Sequence, residues 1–149
     1  MMVTAVDTNV LVDVFQADPQ YGPASLVALA KCLSEGKLVT SDVVWAELRA
    51  IIQSPELFTK LTTELGLEFL SLSIESAELA GLTWQEYRKA GGKRERVAAD
   101  FLIGAHAKVQ CDRLLTRDAG FCRKYFHGLE LVIPITSLME ESAEPAQDK

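Results

Sequence analysis

The sequence predicts an α/β fold in which helices cover both faces of a parallel sheet. Short apolar segments at 3–6, 37–40 and 113–116 are typical of strands that are buried on both faces. Segments of helical length and pattern follow them, and this alternation of strand and helix indicates βαβ units. Because the chain contains no internal repeat, we expect a single domain over residues 1–139, followed by a flexible acidic tail at 140–149.

Turn and capping residues delimit the elements predicted in the first half of the chain. Gly36 ends a helix, Ser41 is a good N-cap for the next helix, and Pro55 belongs to the first turn of a further one. The predicted elements are, in order, a strand at 3–6, a helix at 9–16, a turn at 18–23, a helix at 24–35, a strand at 37–40, a helix at 42–52 and a helix from Pro55 to Gly66.

In the second half, the Gly91-Gly92 pair separates two helical segments. The predicted elements are a strand at 67–72, helices at 74–90 and 94–110, a strand at 113–116, a helix at 119–126 and a strand at 129–135. The central, mostly parallel sheet therefore has five strands if the segment at 67–72 is one of them, and four otherwise.

Composition excludes several classes of protein. With 48% hydrophobic residues among 149, the chain has an ordinary globular composition, and a net charge of -6 argues against a surface that coats nucleic acid. No apolar run approaches the roughly 18 residues of a membrane span, and no basic segment precedes the first strand. We therefore expect a cytoplasmic protein without membrane contact. Cys32, Cys111 and Cys122 are too widely spaced to indicate a zinc site or a disulfide framework.

Two aspartates follow predicted strands. Asp7 comes directly after the first strand, and Asp118 follows the strand at 113–116. Open α/β sheets bind ligands at the carboxyl ends of their strands, where the strand order changes direction. Each aspartate could instead act as the N-cap of the helix that comes next.

Two further acids lie within apolar helical segments. Glu47 falls in the apolar stripe of its helix, where an isolated charge would be costly, so it needs a metal, a hydrogen-bond network or an ion pair. Asp100 lies in "VAADFLIGAHA", which has almost no other polar side chain, and Arg96 one turn earlier could pair with it. Gly104, one turn later, suggests close approach by another backbone or helix.

Four acids at such places would repel one another unless a cation lay between them. Carboxylate oxygens without histidine or cysteine partners suit Mg²⁺ or Mn²⁺ better than zinc. Such ions typically act on phosphate esters, where they activate water and neutralise charge on the phosphoryl oxygens.

The segments "VDTNVLVD", "WAEL", "AADFLIGAHA" and "LLTRDAGF" occur in this order and resemble the PIN-domain nucleases, most closely the VapC-type toxins of bacterial toxin–antitoxin pairs. The resemblance extends from Val3 to about Ile135. It implies a three-layer α/β/α fold and a metal-dependent endoribonuclease, with Mg²⁺ or Mn²⁺ as cofactor and single-stranded or structured RNA as substrate. It also implies a homodimer that a small cognate antitoxin holds inactive.

The resemblance assigns roles to individual residues. By it, the catalytic, metal-binding acids are Asp7, Glu47, Asp100 and Asp118. Asn9 and Thr116 match supporting polar positions that hold the carboxylates or the attacking water.

Candidate RNA contacts come from the basic segment "RKAGGKRER" at 88–96. It precedes the Asp100 helix and could bring Lys93, Arg94 and Arg96 to the phosphate backbone, with Arg117 extending the path beside Asp118. A solvated loop is the alternative interpretation of the same charges.

Other polar and aromatic residues receive structural roles. The polar residues expected on the surface, in turns or at helix ends, or without a catalytic role, are Asp13, Asp42, Asp112, His106 and His127. The aromatic residues expected to contact the core, a second copy or the antitoxin, and not to stack on bases, are Trp45, Trp84, Tyr87 and Phe101.

Two other functions remain open at this point. One is a phosphatase or phosphotransferase with Asp7 as nucleophile, although the D-x-D pattern of such enzymes is broken by Asn9. The other is a non-catalytic acidic module that binds a partner and uses its carboxylates only to cap helices. Metal binding would separate this last reading from the nuclease.

Overall fold

A computed structural model describes residues 1–93 and 96–136, so Arg94 and the predicted tail at 140–149 lie outside the described residues. The strands are β1 (Met2–Val6), β2 (Gly36–Thr40), β3 (Leu67–Phe69), β4 (Arg113–Leu115) and β5 (Glu130–Val132). The helices are α1 (Thr8–Phe15), α2 (Gly22–Glu35), α3 (Asp42–Ile51), α4 (Pro55–Glu64), α5 (Ile74–Lys89), α6 (Ala98–Gln110) and α7 (Ala119–Tyr125).

The five strands form one parallel sheet in the order β3-β2-β1-β4-β5. Consecutive residues of the central strands are buried, among them Ala5 and Val6 in β1 and Leu114 and Leu115 in β4. Because neighbouring strand residues point to opposite faces, this burial shows that helices cover both faces of the sheet. The predicted three-layer α/β/α fold with a parallel sheet is confirmed.

The chain reverses its direction of travel across the sheet at the central pair. It runs outward from β1 through β2 to β3 and then returns to the other side of β1 to form β4 and β5. In the β1–β4 register Val6 pairs with Leu115, so Asp7 and Thr116 leave the sheet side by side. Their shared edge is the switch point at which such sheets place ligands.

Several predicted boundaries were too wide. The strands predicted at 67–72 and 129–135 are each three residues long, and α6 begins at Ala98, not near residue 94. Val97 is extended, with φ -111° and ψ 170°, and its N–H donates to the Asp100 carboxylate at 3.0 Å. Asp100 therefore lies in the first turn of α6, where a carboxylate satisfies a free backbone donor, and not in the middle of a helix.

The expected cysteine and glycine roles can be compared with the packing. All three cysteines are free thiols, and burial is the main cause that raises the pKa of Cys111 to about 12. Gly104 is indeed closely approached, but the group that approaches it is the ring of Phe126 and not another backbone. Within the residues that the structure describes, no helix has the length and apolar character required to cross a membrane.

The contact at Gly104 makes a testable prediction. Gly104→Ala should lower the free energy of unfolding by about 1–3 kcal/mol, because a Cβ there would overlap the Phe126 ring. At Gly81 in α5 an added Cβ would meet no atom of another part of the protein within 4 Å, so Gly81→Ala should leave stability unchanged or raise it by up to about 1 kcal/mol. Urea denaturation of both variants measures the difference. Equal losses in the two variants, or the same Gly104→Ala loss in a Phe126→Leu background, would contradict the proposed overlap.

Candidate functional site

Asp7 and Thr116 meet at the end of the two central strands. The Asp7 N–H donates to the Leu115 carbonyl at 2.9 Å, which continues the sheet pairing by one residue. The Thr116 Oγ1 donates to Asp7 Oδ2 at 2.7 Å, and Asn9 Nδ2 approaches the same oxygen at 3.4 Å. Asp7 occupies the N-cap position of α1, but its side chain makes no capping hydrogen bond there. The carboxylate instead faces Thr116 and Asn9.

Asp118 is joined to Asp7 through the same hydroxyl. Its backbone N–H donates to Thr116 Oγ1 at 2.9 Å. The Thr116 hydroxyl therefore accepts a hydrogen bond from the Asp118 backbone and donates one to the Asp7 carboxylate. Asp118 lies at the N-cap position of α7 without making a capping hydrogen bond. The helix-cap alternative for Asp7 and Asp118 is therefore wrong for both side chains.

The Asp118 carboxylate forms a two-pronged ion pair with Arg96. Arg96 Nη2 donates to Oδ1 at 3.1 Å, and Nη1 donates to Oδ2. The guanidinium also lies over the Phe121 ring, 4.3 Å from its centroid. The hydrogen bonds to Asp118, with a further contribution from the Asp100 charge, raise the pKa of Arg96. The suggested pairing of Arg96 with Asp100 one turn away is replaced by this pairing with Asp118.

Glu47 reaches the site from α3. It is half-buried, and the Thr8 hydroxyl donates to its Oε1 at 2.9 Å. Asp100 is also half-buried, at the start of α6, where it accepts the Val97 N–H. Each of these two carboxylates thus has a protein donor of its own, and each contributes negative charge to the same region.

Ionisation of nearby groups shows that the acids share one electrostatic environment. Burial is the main cause that raises the pKa of Asp7 to about 6, and the charges of Asp118 and Glu47 raise it further, against the opposing hydrogen bonds of Thr116 and the Thr8 backbone. Burial likewise raises the pKa of the Cys122 thiol to about 12, and Asp7, Asp118 and Asp100 all add to that rise. Glu47 and Asp118 therefore lie near Asp7, and Asp100 lies near Arg96, the partner of Asp118.

The chemistry of the four carboxylates fits a hard divalent cation, because carboxylate oxygens are the ligands that Mg²⁺ and Mn²⁺ prefer. Their present arrangement does not enclose one. Within residues 1–93 and 96–136, no three His, Cys, Asp or Glu side chains are placed so that they could hold a metal ion. Each carboxylate is turned toward a protein donor, most strongly Asp118 toward Arg96.

The structure corrects the expectation for Asp13 and changes the interpretation of Arg117. Asp13, expected on the helix surface, is only 3% exposed and accepts Nε and Nη2 of Arg117 at 2.7 and 2.9 Å. Ser25 Oγ donates to the same carboxylate at 2.9 Å, and the guanidinium lies over the Tyr21 ring at 4.1 Å. Arg117 N–H also donates to Asn9 Oδ1 at 3.3 Å. These contacts fix Arg117, which lies between Thr116 and Asp118 in the chain, and they turn its guanidinium toward the protein.

A signal for Asp13 was present in the sequence. Asp13 lies three residues after Val10 in α1, and both are buried, so the aspartate falls on the apolar face of its own helix. The pattern indicates a buried carboxylate but not its partner. The remaining basic candidates divide: Arg96 contacts Asp118, Lys93 is exposed, and Arg94 lies outside the described part of the chain.

The fold and the site define a class: a three-layer α/β/α protein whose acidic residues gather at the switch point of a parallel sheet. The family profile described as PIN domain matches residues 4–127. The chain therefore belongs to the PIN domain family. No curated protein matches it in the sequence comparison.

Solved structures share this fold. A crystal structure of VapBC2 from Rickettsia felis bound to a DNA fragment from their promoter has a TM-score of 0.71 at 20% identity, over 89% of this chain and 98% of that one. The structure of VapBC-1 from nontypeable Haemophilus influenzae has a TM-score of 0.68 at 19% identity, over 89% of this chain and 98% of that one. The crystal structure of FitAcB from Neisseria gonorrhoeae has a TM-score of 0.61 at 23% identity, over 88% of this chain and 97% of that one.

The raised pKa of Asp7 predicts that Asp7→Asn increases the stability of the metal-free protein, measured in EDTA, by an amount that depends on pH. A carboxyl whose pKa is higher in the folded than in the unfolded protein contributes most stability below pH 3.8, and this is lost as pH rises through 6. Above pH 7 the variant should therefore be more stable than the wild type by up to about 3 kcal/mol, and near pH 3.5 the two should be nearly equal. Thermal melts at both pH values measure this, and an Asn variant that is less stable at pH 8 contradicts it.

The ion pair of the buried Asp13 with Arg117 predicts that removing the Asp13 carboxylate lowers the free energy of unfolding more than removing an exposed one, that of Glu68. Asp13→Ala should lower the free energy of unfolding by about 2–4 kcal/mol, because Arg117, 31% exposed, loses its partner. The control is Glu68→Ala, which removes an exposed pair with Lys37 at 3.9 Å and should cost less than about 1 kcal/mol. Denaturant unfolding gives both values. Similar small losses would show that the buried pair does not fix this loop.

Proposed function

We propose that this PIN-domain chain is a metal-dependent endoribonuclease and the VapC-type toxin of a toxin–antitoxin pair. The observation that carries the proposal is that Thr116 joins Asp7 to Asp118 at the switch point, with the Thr8-bound Glu47 close enough to raise the pKa of Asp7. Asp100 acts on Arg96, the partner of Asp118, from the start of α6. A site that concentrates negative charge in this way favours binding of a cation. The PIN family, whose members are generally nucleases, supplies the reaction class.

In this proposal the four acids hold Mg²⁺ or Mn²⁺. When bound, the ion would activate water and offset charge on the phosphoryl oxygens of RNA. The protein's own contribution is positioning: Thr116 and Asn9 orient the Asp7 carboxylate, and Thr8 orients Glu47. Arg96 would have to release Asp118 for that carboxylate to bind a metal, and its guanidinium would then be free to contact an RNA phosphate.

The basic residues take separate roles in the proposal. Lys93, Arg94 and Arg96 remain the candidates for contact with the RNA backbone. Arg117 is instead a positioning residue, because two of its guanidinium nitrogens are bonded to the buried Asp13. It holds the loop that carries Thr116 and Asp118.

The partners in the proposal come from the resemblance and from the structural neighbours. One solved structure of similar fold is a toxin-antitoxin complex from Klebsiella pneumoniae. We propose by analogy that a small antitoxin binds this chain and that the chain forms a homodimer in the cytoplasm. Exposed apolar side chains on α2, Leu26 and Val27, are available for such contacts.

Asp118→Asn and Asp7→Asn test the nuclease directly. Each should reduce metal-dependent cleavage of RNA by at least about 100-fold, since each removes a charge that the cation needs. Sequencing of RNA 5′ ends after incubation with the purified protein, with Mg²⁺, with Mn²⁺ and with EDTA, measures the cleavage.

The control is Glu64→Gln, an exposed carboxylate at the end of α4, which should cleave like the wild type. Thermal melts show that each variant is folded. Cleavage that persists in Asp7→Asn or in EDTA would contradict the proposal. If neither ion binds nor raises the melting temperature, the non-catalytic binding module is favoured instead.

A further inference from the structure

A groove opens between α5 and the start of α6, beside the acidic site, by which we mean the region of Asp7, Glu47, Asp100 and Asp118. It has a volume of about 670 Å³, and the residues of its wall that matter here are Trp84, Tyr87, Arg88, Lys93, Arg96 and Val97. Because Arg96 also pairs with Asp118, one end of the groove borders the acidic site. A ligand that extends from the acidic site along this wall would meet aromatic and basic side chains.

The wall contains a stack of three planar groups that runs from the core to the surface. Phe101 is fully buried, and the Trp84 ring lies nearly parallel to it, with centroids 5.6 Å apart and an interplanar angle of 13°. The Arg88 guanidinium lies over the Trp84 ring, 4.5 Å from the centroid, and Arg88 is exposed. The expectation that Trp84 packs in the core thus describes one face of the ring, while the other face supports an exposed guanidinium plane.

The turn that carries Lys93 is fixed to the same helix. Tyr87 donates its hydroxyl hydrogen to the Lys93 carbonyl, and its ring fills the space beside Gly92 so closely that a side chain there would overlap it. Gly91 has φ 79°, a conformation that favours glycine. Tyr87 therefore holds Lys93 at the edge of the groove.

The described residues of the groove wall carry a charge opposite to the net charge of the whole chain. The described residues of its wall include Arg88, Lys93 and Arg96 and no acid, in a chain with a net charge of -6. A basic groove in an acidic protein favours a bound anion, and an exposed guanidinium plane on an aromatic ring favours a planar group above it. One polymer offers both, because single-stranded RNA has phosphates along its backbone and bases with free faces.

We propose that this groove binds the single-stranded RNA segment next to the cleaved phosphate, with one base stacked on the Arg88–Trp84 pair and adjoining phosphates on Lys93 and Arg96. The proposal rests on the ribonuclease function proposed above and adds a base-binding position beside the cleaved phosphate. A duplex would not fit it, because its bases are already stacked on each other.

Arg88 is the residue to change, since Trp84 also supports the core. The probe is a 5′-fluorescein-labelled RNA of ten nucleotides in EDTA, with binding measured by fluorescence anisotropy. Arg88→Ala and Arg88→Lys should both weaken single-strand binding by about 5- to 50-fold, because lysine keeps the charge but not the plane. Lys60→Ala, which removes one charge from an exposed position on α4, should bind like the wild type. Duplex RNA of the same sequence should bind more weakly and respond little to the Arg88 changes.

The outcomes separate the two proposals. Arg88→Lys binding equal to that of the wild type, no wild-type binding, or equal losses for duplex and single strand would overturn the groove assignment. So would a change in oligomeric state in Arg88→Ala without loss of RNA binding, since the groove would then be a protein interface. The ribonuclease proposal is tested independently by wild-type cleavage with metal: cleavage together with unaffected Arg88→Lys binding leaves the nuclease and removes the groove. If the Arg88 variants lose RNA binding but the wild type does not cleave RNA, the groove assignment stands and the nuclease proposal is removed.

Discussion

The Thr116 hydroxyl is the contact on which the candidate site depends. It accepts the Asp118 N–H and donates its one hydrogen to the Asp7 carboxylate, so a single side chain joins the ends of the two central strands. Because the Asp7 N–H also continues the sheet by bonding Leu115, the two aspartates are positioned by the backbone at the ends of the two central strands. The switch point thus supplies a fixed frame, and the polar residues after each strand determine what that frame presents.

The cost of this arrangement is electrostatic, and the neighbouring contacts offset it. The raised pKa of Asp7 shows that the folded protein disfavours its charged form, and a site of this kind lowers stability in exchange for a charge concentrated at one place. Two arginines balance the acids in different ways. Arg117 is itself partly exposed, but it is bound to the buried Asp13, which also accepts from the buried Ser25, and these contacts hold the loop that carries Thr116 and Asp118. Arg96 pairs with Asp118 at a partly exposed position, where each side chain is 29% exposed.

The sequence was sufficient for the parallel α/β sheet and for the elements that carry Asp7, Glu47 and Asp118, because these depend on local patterns. Strand-end aspartates and a glutamate in an apolar stripe can be read within one or two elements, and the order of elements determines which strands carry them. The pairing of Asp13 with Arg117 joins positions 104 residues apart, so no local pattern contains it. The start of α6 was placed too early for a related reason: Val97 is extended because Asp100 binds its N–H, a side-chain contact that competes with helical propensity.

Arg96 links the acidic site and the groove because it belongs to both. Its guanidinium now bonds Asp118, and its side chain also forms part of the groove wall. A cation among the carboxylates would compete with the guanidinium for Asp118, while an anion in the groove would attract the same guanidinium away from it. Both ligands would therefore favour the same change of partner for one side chain. Since a ligand shifts an equilibrium only through its different affinity for the two states, this shared preference would make the two proposed binding events mutually favourable, with equal coupling in both directions.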